Sequence, residues 1–240
     1  LRAVFRYFDG QTDDAALSRA VAASAVELGC ELACPAAFVG AQREGAGYRA
    51  RYRHEGREHT VQVRALVNAA GPWVDSVQAA IEPEPPRPSV DLVAGAHVVY
   101  ESELSRRIYY TEAPSDRRAV FVMPWKGRVM VGTTETPYRG APGDVAPLDA
   151  EREYLAATFD HYFEGRRGRE LEAFAGLRVL PKGRGKAFDR PRDVTLVTDD
   201  ETHPRLVAVY GGKLTGYRAT AAKVLARLER ALPRAERRAD

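Results

Sequence analysis

The chain has 240 residues, 45% hydrophobic and 29% charged, so it can form one large domain or two small ones with an ordinary globular composition. Its 36 basic and 33 acidic residues leave a net charge of +3, which argues against nucleic acid as a partner. No apolar run approaches the roughly 20 residues of a membrane-spanning helix, and no secretory signal is visible. Its two cysteines, Cys30 and Cys34, form neither a disulfide framework nor a zinc ligand set, so we expect reduced thiols and no metal.

The N-terminal part is predicted to contain a strand, a helix and a second short strand. Residues 3–8 alternate as a strand does, and because the chain starts at Leu1 inside such a pattern, we expect it to be a fragment. A helix should begin at Thr12 or Asp13 and stop at Gly29, and Cys30 to Cys34 should form a short strand. The apolar stripe of this helix is predicted to contain Leu17, Val21, Ala25 and Leu28.

Three strand patterns between Phe38 and Val67, broken by "REGAG" and "HEGRE", predict a β-meander. The last of them, "VRALVNAAG", ends in small residues and Gly71-Pro72. Such a turn is common in sheets that bind nucleotides at their C-terminal edge. The proline-rich stretch "IEPEPPRPS" that follows is the best candidate for a linker or crossover.

The remainder predicts an antiparallel sheet, a helix and a return to an α/β unit. The helix should open at Asp149 and bury Leu155, Phe159 and Phe163, and a basic glycine-rich loop, "PKGRGKAFDRPR", separates two later strands. The strand-like runs are 91–100, 107–111, 118–124, 128–133, 171–180, 194–198 and 206–210. We therefore predict an α/β (α+β) fold of two parts, with segments 1–88 and 204–240 forming one and segment 89–203 forming an inserted, mostly antiparallel sheet.

The stretch "VYGGKLTGYR" places two glycines and a lysine between a strand and a helix. Gly211 and Gly212 allow close approach of a flat ligand, and a helix that begins at Leu214 or Thr215 favours negative charge at its N-terminus. Lys213 adds a full positive charge, so the turn suits a group that is or becomes anionic, although an ordinary turn with a solvated lysine fits equally well. The buried stripe of this helix is predicted to be Tyr217, Ala221, Val224, Leu225 and Leu228.

Other polar residues in apolar settings have two readings each. His97, within "AGAHVVY", is a core histidine or a catalytic base, and Arg178, within "FAGLRVLP", needs either an internal carboxylate or a bound anion. Thr133 and Thr134 follow a strand, where their hydroxyls contact a ligand or close a turn. The sequence "GRGK" lacks the other residues of a phosphate-binding P-loop, and no GxGxxG follows a strand.

Together, these stretches resemble the FAD-dependent, quinone-linked glycerol-3-phosphate dehydrogenases, which belong to the wider family of D-amino acid and sarcosine oxidases. The matching motifs keep the family's order over nearly the whole chain, and "NAAGPWVD", "GTTETPY" and "GGKLT" are the most specific. The others are "YFDGQTDDAAL", "GAHVVY", "VFVMPWKGRVMV", "AGLRVL" and "RDVTL".

The resemblance implies a partial Rossmann-like FAD-binding domain with an inserted substrate domain, and oxidation of sn-glycerol 3-phosphate to dihydroxyacetone phosphate with electrons passing through FAD to quinone. It implies that His97 accepts the hydroxyl proton, that Arg178 and Arg192 hold the phosphate, and that Thr133 and Thr134 are further candidates for substrate contact. Lys213 would serve both substrate and reduced flavin. The implied flavin contacts are Ala70, Gly71, Pro72, Trp73, Gly211, Gly212, Lys213, Leu214 and Thr215.

The resemblance also implies a cytoplasmic protein bound peripherally to the inner face of the membrane, and it leaves the oligomeric state, a homodimer included, open. The family's N-terminal GxGxxG is missing, and Val179 and Gly216 replace a proline and a threonine that are usual in the family. Two alternatives stay open: an amine or amino-acid oxidase of the same wider family, and a catalytically silent, colourless fragment.

Overall fold

The computed structural model describes residues 4–104, 106–182 and 193–233. The helices are α1 (Asp14–Glu27), α2 (Val74–Ala79), α3 (Asp149–Tyr162) and α4 (Tyr217–Leu228). The strands are β1 (Ala36–Glu44), β2 (Gly47–His54), β3 (Arg57–Val63), β4 (Leu66–Asn68), β5 (Ile81–Glu82), β6 (Val90–Tyr100), β7 (Tyr109–Glu112), β8 (Ala119–Trp125), β9 (Arg128–Gly132), β10 (Thr136–Tyr138), β11 (Glu170–Pro181), β12 (Thr195–Thr198) and β13 (Leu206–Tyr210). Over these ranges, no helix is long and apolar enough to cross a lipid bilayer.

The strands form three sheets, which confirms the predicted mixed α/β architecture. The meander sheet has the order β3-β2-β1-β5, and the first three strands are antiparallel as the sequence predicts. The small sheet has the order β12-β13-β4. Its strand β12 lies within the predicted segment 89–203 but pairs with β13 across the predicted boundary at 203/204, so that division of the chain stays a prediction.

The central sheet is built on the long strand β6, which is bordered on both edges. On one edge it pairs with β9 and then, further towards its own start, with β10, and β8 and β7 continue the sheet beyond β9. On the other edge β11 runs antiparallel to β6 along its whole length. Because side chains alternate between the faces of a strand, one face of β6 carries Ala96, Val98 and Tyr100 and the other carries Gly95 and His97.

Helix α3 covers the first of these faces. Leu155 and Phe159, both fully buried, pack on Ala96, Val98 and Tyr100, and Phe163 lies against this cluster as predicted. Aliphatic and aromatic burial of this kind contributes about 1.5–3 kcal/mol for each large side chain. The packed helix therefore fixes the sheet from one side. The opposite face is partly accessible, since Phe174 and Gly176 on it are exposed.

The small sheet brings two loops to one edge. Strands β4 and β13 are parallel, with Leu206 opposite Leu66 and Ala208 opposite Asn68. The residues that follow each strand therefore emerge at the same edge, which is where ligands bind in α/β sheets. Asp199, in the turn after β12, accepts hydrogen bonds from the Tyr48 hydroxyl (2.9 Å) and the Leu206 backbone N–H (2.9 Å), and so ties this sheet to the meander sheet.

The N-terminal predictions are only partly correct. Residues 4–8 form no strand and lie exposed, with Phe5 88% and Phe8 92% accessible, because no neighbouring strand among the described residues supplies hydrogen-bond partners. The short strand predicted for Cys30 to Cys34 is likewise absent from this described stretch. Helix α1 does begin after an N-cap, Asp13, whose carboxylate accepts the Ala16 N–H at 3.0 Å.

The predicted apolar stripes of α1 and α4 are only partly buried. In α1, every residue of which is described, none is buried and Val21 is exposed, as is Leu28, which follows the helix as its C-cap. In α4, Val224 and Leu228 are buried as predicted, but Leu225 and Tyr217 are exposed. Helix α4 also begins later than predicted, because residues Leu214–Gly216 form a 3-10 turn before it.

A buried carboxylate fixes the start of α3 to the central sheet. Glu151 accepts hydrogen bonds from the hydroxyls of Thr134 (2.7 Å) and Thr136 (2.6 Å), and its other oxygen accepts the Leu148 N–H at 3.0 Å. The Thr134 hydroxyl in turn accepts the Ala96 N–H at 2.8 Å. Since Glu151 and Thr134 are buried, the hydrogen bonds between them and to Ala96 are costly to lose.

We expect Glu151→Ala to lower the free energy of unfolding by about 2–4 kcal/mol, because two hydroxyls and one backbone N–H lose their acceptor. Urea denaturation measures the change. Glu153→Ala is the matched control, since Glu153 lies exposed on the same helix and should change stability by less than about 0.5 kcal/mol. Equal effects of the two substitutions would contradict the role of Glu151.

Candidate active site

The accessible face of the central sheet brings His97 and Arg178 together over a floor of glycines. We call this the open face and define it by Gly95, His97, Gly132, Gly176 and Arg178. The register places Gly132 opposite His97 on one edge of β6 and Gly176 opposite Gly95 on the other. A Cβ built on Gly176 would meet no atom within 4 Å, so the surface above it is open to a ligand.

Two neighbours fix the imidazole of His97. Its ring stacks on Phe174, with centroids 5.3 Å apart and planes 12° from parallel. Gly132 leaves the space that the ring occupies, because a Cβ there would lie 2.2 Å from His97 Cδ2. The ring therefore stacks on Phe174 and occupies the space that a side chain at position 132 would fill.

Burial is the main cause, and the nearby Arg178 cation the second, of a pKa of His97 that is lowered from 6.5 to about 4, while Asp14 opposes the shift. The sequence predicts an unperturbed value near ~6.5, so the structure differs from this expectation. The imidazole is neutral at physiological pH. It thus has an unprotonated nitrogen that can accept a proton, although its basicity is weaker than that of a solvated histidine.

Arg178 has an internal carboxylate as partner. Its Nη1 lies 2.6 Å from Oε1 of Glu135, and the two side chains are 28% and 11% exposed. The alternative that the sequence left open, an internal carboxylate, is therefore realised. The Arg178 side chain nevertheless keeps more than a quarter of its surface accessible, and its planar fork of donors suits a phosphate or carboxylate.

The glycine turn after β13 lies beside the end of β11. Gly211 and Gly212 have φ values of +70° and +86°, a region that favours glycine. A Cβ on Gly211 would lie 3.3 Å from the carbonyl oxygen of Val179, the residue next to Arg178. The turn and the open face are therefore neighbours, and Lys213, Leu214 and Thr215 continue from it as an exposed segment.

A second turn, after β4, is held by Asn68. Its buried side chain donates to the Val74 carbonyl (2.9 Å) and accepts the Ala70 N–H (3.2 Å). The 3-10 turn Gly71–Trp73 that follows packs against β11, and Trp73 is exposed. The family resemblance implied Ala70–Trp73 as flavin contacts, but nothing in the pattern singled out Asn68 as the residue that shapes the turn.

These two turns fit the flavin end of FAD. Both follow parallel strands at the same sheet edge, both contain glycine at positive φ, and one carries Lys213. Backbone without Cβ atoms and positive potential suit a flat ring that gains negative charge on reduction. The pyrophosphate of FAD requires a glycine-rich strand-to-helix turn, and the sequence contains no strand–GxGxxG–helix for it.

Thr133 and Thr134 lie on opposite faces of the central sheet. Thr134 is buried with its hydroxyl turned towards Glu151, on the α3 side of the sheet. Thr133 lies on the other side, where its Oγ1 would be 2.5 Å from a Cβ built on Gly95. Arg192, predicted to contact phosphate, lies outside the described residues, as does most of the basic glycine-rich loop.

The stability of the protein should depend on pH through His97. Because the folded state holds its pKa near 4 and an unfolded histidine titrates near ~6.5, the unfolded chain binds more protons between these values. The free energy of unfolding should therefore fall as pH drops from 6.5 to 4. In urea denaturation at a series of pH values, His97→Gln should flatten this slope, and a variant of the exposed His161, His161→Gln, should keep it. An unchanged slope in His97→Gln would contradict the assignment.

The chain is matched over residues 1–226 by the model of the FAD dependent oxidoreductase family. It is 34% identical over 239 residues to a glycerol-3-phosphate dehydrogenase of Pseudomonas aeruginosa, with 95% of this chain and 46% of the relative covered. It is 32% identical over 235 residues to a D-erythritol 1-phosphate dehydrogenase of Brucella abortus, with 95% and 47% covered. The chain thus spans slightly under half the length of the curated relatives that it matches.

Solved structures agree with this assignment. The glycerol-3-phosphate dehydrogenase of Bacillus halodurans, complexed with FAD, superposes with a TM-score of 0.77 at 25% identity. The match covers 92% of this chain and 43% of the Bacillus halodurans chain. A glycine oxidase of Bacillus cereus shares the fold, with a TM-score of 0.63 at 15% identity, and covers 90% and 56%. The family, fold and cofactor that the motifs implied are thereby confirmed: the chain belongs to the D-amino acid oxidase-like family of oxidoreductases that use FAD.

Proposed function

We propose that the full-length protein oxidises the secondary alcohol of sn-glycerol 3-phosphate to dihydroxyacetone phosphate and passes the electrons to a membrane quinone. The observation that carries this proposal is the juxtaposition of a neutral histidine and an arginine on the open face, beside the Gly211–Thr215 turn. A dehydrogenase for a phosphorylated alcohol needs these groups: a proton acceptor, an anion-binding cation and a surface against which the flavin lies.

In this proposal, Arg178 binds the phosphate and fixes the distance of the carbinol from His97. The guanidinium donates parallel hydrogen bonds to two phosphate oxygens, which orients the substrate as well as holding it. The unprotonated nitrogen of His97 accepts the proton of the substrate hydroxyl while the hydride leaves the carbon that bears this hydroxyl. FAD, when bound, supplies the hydride acceptor. The bound phosphate also offsets the charge of Arg178 and thereby raises the pKa of His97 towards a value better suited to a base.

The turn Gly211–Thr215 contributes positive potential. Its backbone precedes helix α4, and the exposed Lys213 adds a cation that serves the phosphate or the reduced ring. The Thr133 hydroxyl, next to Gly95, is the remaining candidate for contact with the substrate. A quinone acceptor places the protein at the inner membrane surface, so peripheral membrane contact is part of the same proposal.

D-erythritol 1-phosphate is a second candidate substrate. The Brucella abortus relative is named for it, and its identity to this chain, 32%, is close to the 34% of the Pseudomonas aeruginosa glycerol-3-phosphate dehydrogenase. Both substrates are polyol phosphates, so the open face serves either. A simple amine carries no anion for Arg178 to bind, so an amine oxidase is less well supported. An amino acid does carry a carboxylate, and the comparison of substrates below separates an amino-acid oxidase from a polyol-phosphate dehydrogenase.

A substrate screen tests the reaction. With the FAD-loaded, full-length protein and a soluble quinone analogue, we expect reduction by glycerol 3-phosphate at a kcat/KM at least tenfold above that for glycine or sarcosine. A higher kcat/KM with D-erythritol 1-phosphate would favour the second candidate. Faster reduction by an amine than by either polyol phosphate would contradict the proposal.

Two substitutions separate binding from proton transfer. Arg178→Ala should raise KM for the phosphorylated substrate by about 10–100-fold, because charge-assisted hydrogen bonds are lost. His97→Asn should instead lower kcat by about 100-fold or more, since the proton acceptor is removed. Arg117→Ala is the matched control, because Arg117 is an exposed arginine in the loop between β7 and β8 that pairs loosely with Glu112 at 3.8 Å. An unchanged KM in Arg178→Ala would contradict the phosphate assignment.

A further inference from the structure

We propose that Glu135 is a positioning residue for Arg178 and thereby sets the affinity for the phosphate group. The inference rests on the proposed function, because it concerns the same anion site. The sequence pattern around Glu135, "GTTETPY", does not indicate this role, because the partner of the carboxylate is distant in sequence. Its part in the site becomes visible only when strands distant in sequence are brought together.

The ion pair between Glu135 and Arg178 crosses the central strand. Glu135 lies on one edge of β6, between β9 and β10, and Arg178 lies in β11 on the other edge. Their side chains meet above Gly95, where a Cβ would lie 3.5 Å from Arg178 Nη2. The glycine therefore leaves the path over β6 open for the pair.

The backbone that carries Glu135 is anchored from several directions. Thr134, the residue before it, is buried, and its hydroxyl bonds both Glu151 (2.7 Å) and the Ala96 N–H (2.8 Å). The Glu135 carbonyl accepts a hydrogen bond from Arg118 at 3.3 Å. The Glu135 side chain is only 11% exposed and stands on this fixed segment, so its pair with Arg178 differs from a mobile ion pair at the surface. The carboxylate is a rigid support for the guanidinium.

A rigid support matters because the guanidinium is planar. Once Nη1 is fixed on Glu135 at 2.6 Å, the orientation of the whole fork is restricted. Arg178 is then preorganised for phosphate and loses less side-chain entropy on binding. Before substrate enters, the carboxylate also balances a cation that is only partly solvated.

The test is a double-mutant cycle on the FAD-loaded, full-length protein. The readout is the Kd of dihydroxyacetone phosphate, measured by the change in flavin absorbance. Glu135→Ala should weaken binding about tenfold when Arg178 is present. In the Arg178→Ala background it should weaken binding less than twofold, because there is no guanidinium left to orient. The non-additivity separates a positioning role from an independent contact.

The controls keep the outcome decisive. Glu58→Ala removes an equal charge from an exposed pair with Arg51 at 3.0 Å in the meander sheet, and should leave the Kd unchanged. Should Glu135→Ala fail to fold, Glu135→Gln replaces it, because glutamine keeps an oxygen acceptor; it should still weaken binding relative to wild type, by less than about tenfold. In steady state, both variants should raise KM by a larger factor than they lower kcat.

The possible failures are distinct. A wild-type protein that binds no polyol phosphate overturns the proposed function. Wild-type binding with an unchanged Kd in both Glu135 variants overturns the positioning role alone. An equal loss of affinity from Glu135→Ala with and without Arg178 also overturns it, since Glu135 would then act on the ligand independently.

Discussion

The pairing of β11 with β6 is the constraint on which the site depends. Eleven residues of β6 run antiparallel to β11, from Val90 opposite Pro181 to Tyr100 opposite Glu170. Because the side-chain period of a strand is two, a slip by one residue would move Phe174 and Arg178 to the α3 side. The same pairing places the Val179 carbonyl against the Gly211 turn. One register thus fixes the cation, the stacked histidine and the glycine turn relative to one another.

Helix α3 and its buried Glu151 make that register rigid from the opposite side. The apolar cluster around Leu155 and Phe159 is insensitive to small rotations of the helix, whereas the hydrogen bonds of Glu151 to Thr134 and Thr136 are directional. Together they hold the segment between β9 and β10 in a fixed position along the edge of β6. The open face can then be sparse, with glycines in place of side chains, without losing its shape.

Local pattern predicted much of this fold but not the contacts that make the site. The strands β6, β8, β9 and β11 and the helix α3 follow from alternation and from the spacing of Leu155, Phe159 and Phe163. The prediction failed at residues 4–8, where strand propensity has no partner strand among the described residues, and at Leu225, which the helical period places on an apolar face but packing leaves exposed. A strand is stable only beside a neighbouring strand, and a short stretch of sequence does not show which strand that is.

The same limit applies to the site. His97, Arg178 and the Gly211–Gly212 turn were identifiable because each is a polar or conformationally special residue in an apolar setting. Glu135 and Asn68 were not, because their roles arise from partners 43 and 6 residues away whose proximity is set by tertiary structure. The lowered pKa of His97 has the same origin, since burial and the cation of Arg178 are both products of folding.

The most direct test of the account is a crystal structure of the full-length protein with FAD and dihydroxyacetone phosphate. The account places the phosphate on the guanidinium of Arg178, the carbonyl carbon beside the imidazole of His97, and the flavin ring against residues 211–215. A phosphate bound away from Arg178, or a ring remote from the glycine turn, would contradict it.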